Sequence, residues 1–279
     1  MKVLTAVSDV RAFRASRDGS LGLVPTMGAL HAGHLSLVAR ARTENEHVAA
    51  SIFVNPAQFG PAEDFAAYPR ALDADLGLLA SLGVDAAWGP SPNDVYPPGF
   101  QTWITVEDVS TPLEGARRPG HFRGVATVVA KLLNVFQPAR AYFGQKDAQQ
   151  VAVIRQMVHD LSFPVDIVVC PTVREKDGLA LSSRNVYLGP DERRAAPALH
   201  RALEAAGAAF DSGERDAGRL RAVLAKTLAG EPLVRVDYVS VADASTLAEL
   251  ERVEGAALVS LAARIGKTRL IDNVVLGGT

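Results

Sequence analysis

Short apolar runs recur along the first 170 residues, and each is followed by a stretch with helical periodicity. That alternation constrains the fold more than any other feature of the chain. Residues 21–24, 48–54, 84–88, 141–143 and 165–170 are predominantly apolar, and Pro25 and Pro56 close the first two runs. A strand wetted on one face would alternate apolar and polar residues, so runs of this kind are expected to be buried on both faces. Between them lie helical patterns at 33–46 (apolar at 35, 37, 38 and 41), 70–82, 125–136 and 149–159, with Gly83 as the C-cap candidate of the second. In the third, Val128, Val129, Leu132, Leu133 and Phe136 share a face. The expectation is an α/β fold, a doubly wound (Rossmann-like) parallel sheet that binds ligands beyond the carboxyl ends of its strands.

After about residue 172 the texture changes. Helical patterns at 191–210 and 217–228 are rich in alanine and arginine, and Asp191 beside Pro190 is the expected cap of the first. Strand-like runs follow at 234–241, 256–262 and 269–275. Helices followed by strands suggest a smaller α+β domain with a partly antiparallel sheet. A chain of 279 residues also exceeds the usual size of a single core. The expected domains are 1–172 and 173–279.

With 22% charged residues and a formal net charge of −2, the chain lacks the basic excess that nucleic acid or an anionic membrane would select. A local basic pocket for a phosphate-bearing ligand remains compatible. The one cysteine, Cys170, lies in an apolar run and reads as a small buried hydrophobe. No intrachain disulfide can form, no signal-peptide core follows Met1, and no apolar run approaches membrane-spanning length, so a cytoplasmic protein is expected.

The stretch Pro25-Thr26-Met27-Gly28-Ala29-Leu30-His31-Ala32-Gly33-His34-Leu35 leaves the first strand and opens a helix. A doubly wound sheet receives phosphates there, because unpaired N–H groups and the positive helix end face outward. Gly28 and Gly33 would allow close backbone approach. His31 and His34, three apart, can face one ligand as hydrogen-bond donors; as zinc ligands they would need a third partner that no nearby residue supplies.

His31-Ala32-Gly33-His34 resembles the HxGH signature of the nucleotidyltransferase superfamily, and the longer string from Pro25 resembles the pantothenate synthetase family. Three further blocks agree: Ser51-Ile52-Phe53-Val54-Asn55-Pro56-Ala57-Gln58, Tyr142-Phe143-Gly144-Gln145-Lys146-Asp147 with Gln149-Gln150, and the stretch from Pro171 through Arg174 to Leu181-Ser182-Ser183-Arg184-Asn185. The last resembles the superfamily's phosphate-clamp loop, here near the start of the second domain. The resemblance covers residues 20–190 most strongly.

What the resemblance implies is an ATP-dependent ligase. It would condense (R)-pantoate with β-alanine through a pantoyl adenylate, releasing AMP and pyrophosphate, with magnesium as cofactor and a homodimer as the assembly. ATP would be bound by Met27 to His34, by Gly144 to Asp147, and by Val173, Leu181, Ser182, Ser183 and Arg184. His34, His31 and Lys146 would be catalytic. Gln58 and Gln150 would fix pantoate, with Asn55, Met27 and Phe53 beside them. Arg118 either reaches the substrate region or makes a structural or dimer ion pair, and His121 is expected in a structural or interface role. Leu181 stands where methionine is more usual. Asp73-Ala74-Asp75 has alanine within a run associated with magnesium, which leaves Asp75 as the candidate metal ligand and the nucleotide phosphates as the main one. Two rivals stand against this reading. A nucleotidyltransferase acting on a phosphorylated substrate would need basic residues at 55 and 58. A non-catalytic nucleotide-binding module would have lost His31, His34 or Lys146.

Overall fold

A computed structural model describes residues 1–61 and 63–278. The chain forms two compact units: Met1–Gly144 with Gln150–Pro171, and Gln145–Gln149 with the chain from Thr172 on.

The first unit is built on a six-stranded sheet, in which every pairing is parallel. Its strands are β1 (Lys2–Leu4), β2 (Leu21–Thr26), β3 (His47–Ile52), β4 (Ala86–Trp88), β5 (Arg140–Gly144) and β6 (Asp166–Cys170), ordered β1-β4-β3-β2-β5-β6. The helices are α1 (Val7–Ala15), α2 (Ala32–Glu44), α3 (Leu72–Ser81), the short α4 (Pro92–Val95) and α5 (Glu114–Arg117), α6 (His121–Phe136) and α7 (Ala148–Asp160). Successive strand residues point to opposite faces, and here both faces are covered. Val24, Val48, Ala50, Ala87, Tyr142 and Cys170 pack with Leu37, Val38 and Ala41 of α2 and Leu79 of α3. Trp88 meets Phe136 of α6 edge-on, with ring centroids 6.0 Å apart. Double coverage is why the strands lack polar alternation, and the doubly wound expectation describes this sheet.

From β2 the chain adds β3 and β4 on one side, then returns to add β5 and β6 on the other. The reversal between β2 and β5 is a topological switch point, where the loops diverge and leave a crevice. The edge strand β1 and helix α1 have no counterpart among the expected elements; three residues of strand are too few to show a period.

The second unit contains α8 (Pro190–Ala195), α9 (Ala198–Asp211) and α10 (Ala217–Ala229), then β7 (Val234–Asp243), β8 (Ala257–Ile265) and β9 (Thr268–Leu276). The three strands are antiparallel throughout, in the order β7-β8-β9. Leu199, Leu203, Leu220, Leu224 and Leu228 from the helices share a core with Val241, Val259 and Leu261. The single helix expected over 191–210 is divided at Pro197, which caps α9, because proline lacks an N–H and its ring clashes with the preceding turn. Gly189, rather than Asp191, occupies the N-cap of α8, and Pro190 takes the first helical position that proline favours. Among the described residues no helix is long and apolar enough to cross a membrane.

Candidate active site

The loop from β2 to α2 turns through two left-handed residues, Gly28 (φ 83°) and Ala29 (φ 51°). A Cβ on Gly28 would lie 2.9 Å from Asp75 Oδ2 and 3.1 Å from Ile52 Cγ2, so the position needs glycine for space as well as for conformation. The loop's N–H groups are held inward. That of Gly28 donates to Thr26 Oγ1 (3.2 Å), and those of Ala29 and Leu30 donate to Asp75 Oδ2 and Oδ1, at 2.8 Å each. Asp75, in the first turn of α3, is 2% exposed. The residue expected to bind magnesium thus has both oxygens engaged by backbone and serves as the anchor of this loop. No group of three or more His, Cys, Asp or Glu that could hold a metal occurs among the described residues.

His31 is the N-cap of α2. Its Nδ1 accepts from the Gly33 N–H (3.1 Å), while His34 Nδ1 accepts from the His31 N–H (3.3 Å). This is a reciprocal capping box in which two imidazoles replace the usual hydroxyl and carboxylate. A backbone N–H can only donate, so each Nδ1 must accept and each neutral ring carries its proton on Nε2. The ring centroids are 4.1 Å apart.

Past the end of β3, Asn55 caps the 3-10 turn Pro56–Gln58, its Oδ1 accepting from the Ala57 N–H at 3.2 Å. Asn55 Nδ2 donates to the Gly124 carbonyl (3.2 Å) and to Gln58 Oε1 (3.0 Å). Gln58 Nε2 lies 3.0 Å from Met27 Sδ, which joins two of the expected substrate residues. Phe53 is buried, and its N–H donates to the Thr26 carbonyl at 3.0 Å. Helix α6 can approach the turn because residue 124 is glycine: a Cβ there would fall 2.2 Å from the Ala57 carbonyl oxygen.

The backbone carbonyl of Gln58 is held as well. His121 Nδ1 lies 2.8 Å from it, and Arg118 Nη1 lies 3.0 Å from His121 Nε2. Guanidinium only donates, so His121 accepts at Nε2 and donates from Nδ1. Burial, and after it the Arg118 charge, push the His121 pKa down to about 4. Arg118 itself pairs bidentately with Glu63, at 2.8 and 2.7 Å. Burial would raise the Glu63 pKa, but the hydrogen bond and charge of Arg118 outweigh it and hold the carboxyl below its ordinary value. Of the two readings of Arg118, the structure has an ion pair within the chain. Glu63 lacked any signal in the sequence. Tyr96, whose hydroxyl donates to Asn55 Oδ1 at 2.8 Å, was also passed over. A signal for it existed: Tyr96, Phe100 and Trp103 crowd eight positions of a chain that is 6% aromatic. Gly144 ends β5, and Gln150 lies half-buried in the first turn of α7.

In the second unit, Gln145–Asp147 form a 3-10 turn bound to β9. Asn273 Nδ2 donates to the carbonyls of Gln145 (3.1 Å) and Lys146 (2.9 Å), and Gln145 Nε2 returns a bond to Asn273 Oδ1 at 3.0 Å. Lys146 Nζ is 3.9 Å from Asp147 Oδ1. Val173 and Leu181 face each other across a narrow loop, the Leu181 N–H donating to the Val173 carbonyl at 3.0 Å. Arg174 clasps the buried Asp272 at 2.5 and 2.9 Å, and Arg193 bridges Glu175 (2.7 Å) and Asp177 (2.6 Å). Ser182 caps the turn Ser183–Tyr187, its Oγ accepting from the Arg184 N–H at 3.3 Å. The loop expected to clamp phosphate is therefore braced at its base by ion pairs.

A family model described as pantoate-beta-alanine ligase matches residues 2–275. The pantothenate synthetase of Roseiflexus sp. (strain RS-1) is 60% identical over 276 residues, covering 99% of each chain. That of Herpetosiphon aurantiacus is 59% identical over 277 residues, 99% of this chain and 100% of the relative. Among solved structures, pantothenate synthetase from Thermus thermophilus matches with a TM-score of 0.94 and 48% identity, covering 98% of this chain and 99% of that one. Pantoate-beta-alanine ligase from Francisella tularensis, complexed with beta-gamma ATP and beta-alanine, matches with a TM-score of 0.81 and 37% identity, covering 99% and 97%.

Proposed function

The chain belongs to the pantoate–β-alanine ligase family, and from that premise we propose that it joins (R)-pantoate to β-alanine through a pantoyl adenylate made from ATP. It is an enzyme of pantothenate synthesis; the residue roles and the intermediate are our reading. The observation that carries them is the reciprocal cap of His31 and His34 at the switch point, with Gln58 linked to the same loop through Met27.

In the first half-reaction the pantoate carboxylate attacks the α-phosphorus of ATP, and pyrophosphate leaves. Positioning and charge stabilisation dominate such a transfer. His31 and His34, protonated on Nε2, are assigned as donors to the phosphates, with Lys146 as a compact cation and Ser182, Ser183 and Arg184 as further donors. Gly28, Ala29, Leu30, Ala32, Gly33, Gly144, Gln145, Asp147, Val173 and Leu181 complete the ATP contacts in this reading. Gln58 and Gln150 hold pantoate, with Asn55, Met27 and Phe53 around it. In the second half-reaction the amine of β-alanine attacks the acyl carbon and AMP departs. The Francisella tularensis relative, complexed with beta-gamma ATP and beta-alanine, supports this choice of substrates.

Both oxygens of Asp75 accept backbone N–H groups and no group of three or more His, Cys, Asp or Glu that could hold a metal occurs among the described residues, so in this reading magnesium is carried mainly by the nucleotide phosphates. The same reading makes the protein a cytoplasmic homodimer, which sedimentation of the purified chain would check.

The deciding experiment incubates the protein with ATP, (R)-pantoate and β-alanine and resolves the products by mass. Pantothenate, AMP and pyrophosphate are expected, with no pantothenate formed when any one substrate is omitted. ADP and phosphate would overturn the adenylate and point to an acyl phosphate.

A further inference from the structure

The Gln58 side chain can present either its oxygen or its NH2 group to a ligand, and the two ends are interchangeable in shape. What selects one is the chain of groups behind it. Asn55 contacts a pure donor, the Ala57 N–H, on Oδ1, and a pure acceptor, the Gly124 carbonyl, on Nδ2. Those two partners settle which atom of the Asn55 amide is oxygen. The Tyr96 hydroxyl, 2.8 Å from Oδ1, must then donate, and the Gln58 atom 3.0 Å from Nδ2 must be Oε1. Gln58 is left with Nε2 at its other end, beside Met27.

Tyr96 is itself held firmly for this task. Its ring stacks on Trp103 (centroids 5.6 Å apart, planes at 23°) and meets Phe100 edge-on at 5.1 Å. Lys131 Nζ lies 4.7 Å from the Phe100 ring centroid and 6.0 Å from that of Tyr96, and Arg123 lies 4.5 Å from that of Trp103. Aromatic pairs and cations over ring faces fix the ring by attraction to its quadrupole. Burial raises the phenol pKa to about 12, so the hydroxyl keeps its proton at any working pH.

We propose that Tyr96 is a positioning residue for the acid substrate: its hydroxyl adds a second donor to the Oδ1 of an Asn55 amide already oriented by Ala57 and Gly124 and so steadies it, Asn55 holds the oxygen of Gln58, and Gln58 offers pantoate only N–H donors. This rests on the reading that Gln58 binds pantoate. A donor-only end suits a carboxylate or hydroxyl oxygen of that substrate and rejects an amide N–H in its place. The aromatic cluster around Tyr96 thus acts on specificity from behind the site.

The test is a double-mutant cycle on the full-length protein, with KM measured separately for pantoate, ATP and β-alanine and folding followed by thermal midpoint. Tyr96→Phe keeps the ring stack and removes one donor. We expect the pantoate KM to rise about tenfold, the effect of one net hydrogen bond, with the other two constants within twofold. In a Gln58→Ala background the same substitution should change nothing further, because Tyr96 acts through Gln58. An unchanged pantoate KM, an equal rise for all three substrates, or an undiminished effect in the Gln58→Ala background would each overturn the proposal. A pantoate KM untouched by Gln58→Ala would instead overturn the assignment of Gln58, and the role of Tyr96 with it. Gln58→Glu tests the orientation without touching Tyr96: it keeps an acceptor for Asn55 and loses the donor. Pantoate use should fall at least as far as in Gln58→Ala, and a retained pantoate KM would mean that the oxygen end faces the substrate.

Discussion

At the scale of single residues, His31 and His34 fill the two capping positions that a serine and a glutamate would ordinarily take. Each Nδ1 accepts a backbone N–H of the helix entrance, which fixes the ring and the tautomer together. A histidine so placed donates from Nε2 without carrying a full charge. Replacing His34 by alanine removes both the donor and half of the cap. We expect adenylate formation to slow about 10²–10³-fold, the usual effect of losing one preorganised donor to developing charge. The cap itself accounts for only about 1 kcal/mol of stability, so the fold should persist. Lys146→Ala should behave likewise. Supplying preformed pantoyl adenylate should restore much of the amide-forming step in both, since no charge builds on phosphorus there. Rapid-quench measurement of each half-reaction checks this; a His34→Ala variant slow only in consuming the adenylate would move His34 to amine attack.

At the scale of elements, the contact of α6 with the turn Pro56–Gln58 depends on a missing side chain. Gly124 brings its own carbonyl to Asn55 Nδ2 and lets the Ala57 carbonyl lie where a Cβ would be. The obstructing atoms, the Ala57 carbonyl and the Gln58 nitrogen, are backbone, so neither can swing aside as a side-chain tip would. Gly124→Ala must push the helix and the turn apart. We expect a loss of about 1–3 kcal/mol, the range of overpacking in a tight interior, together with a raised pantoate KM and an unchanged KM for ATP. Urea unfolding and steady-state kinetics measure both, and a variant matching the parent in each would show that the contact is not made. The loop after β2 depends in the same way on Asp75. One carboxylate there accepts from two N–H groups of the turn that passes through left-handed Gly28 and Ala29.

At the scale of the molecule, the groups that matter for stability in acid are not all carboxylates. His121 is neutral in the folded chain down to about pH 4, whereas an unfolded histidine takes up its proton near pH 6.5. Below about 6.5 the unfolded state therefore binds one proton more, and stability falls as pH drops from about 6.5 to about 4. The loss from this residue is on the order of 3 kcal/mol across that window. The carboxylates with lowered pKa values, Glu63 and Asp177 among them, add their losses only as pH falls through the usual carboxylate range and below it. The urea midpoint should thus decline between pH 7 and pH 5. His121→Asn, whose amide can donate in place of Nδ1, should flatten that decline. An equally steep decline in the variant would show that His121 is not its source.

How far the sequence alone determined this protein follows from the range of the interactions involved. The parallel sheet was legible because burial on both faces leaves unbroken apolar runs, and the pairing of His31 with His34 at a helix entrance because they lie three apart; that they also cap the helix appears only in the structure. The turn at Asn55 is equally local. Other features rest on partners that no local pattern identifies. Tyr96 reaches Asn55 across 41 positions, Arg118 reaches Glu63 across 55, and Arg174 reaches Asp272 across 98. The backbone of Lys146 is held by Asn273, 127 residues further on. Asp75 stood as the candidate metal ligand because nothing in its neighbourhood along the chain shows the two N–H groups, 45 and 46 positions away, that bond to its oxygens. Periodicity records which face of an element is buried. Which polar group meets which is decided only when the elements pack, because a buried donor or acceptor must find its partner wherever the fold brings one.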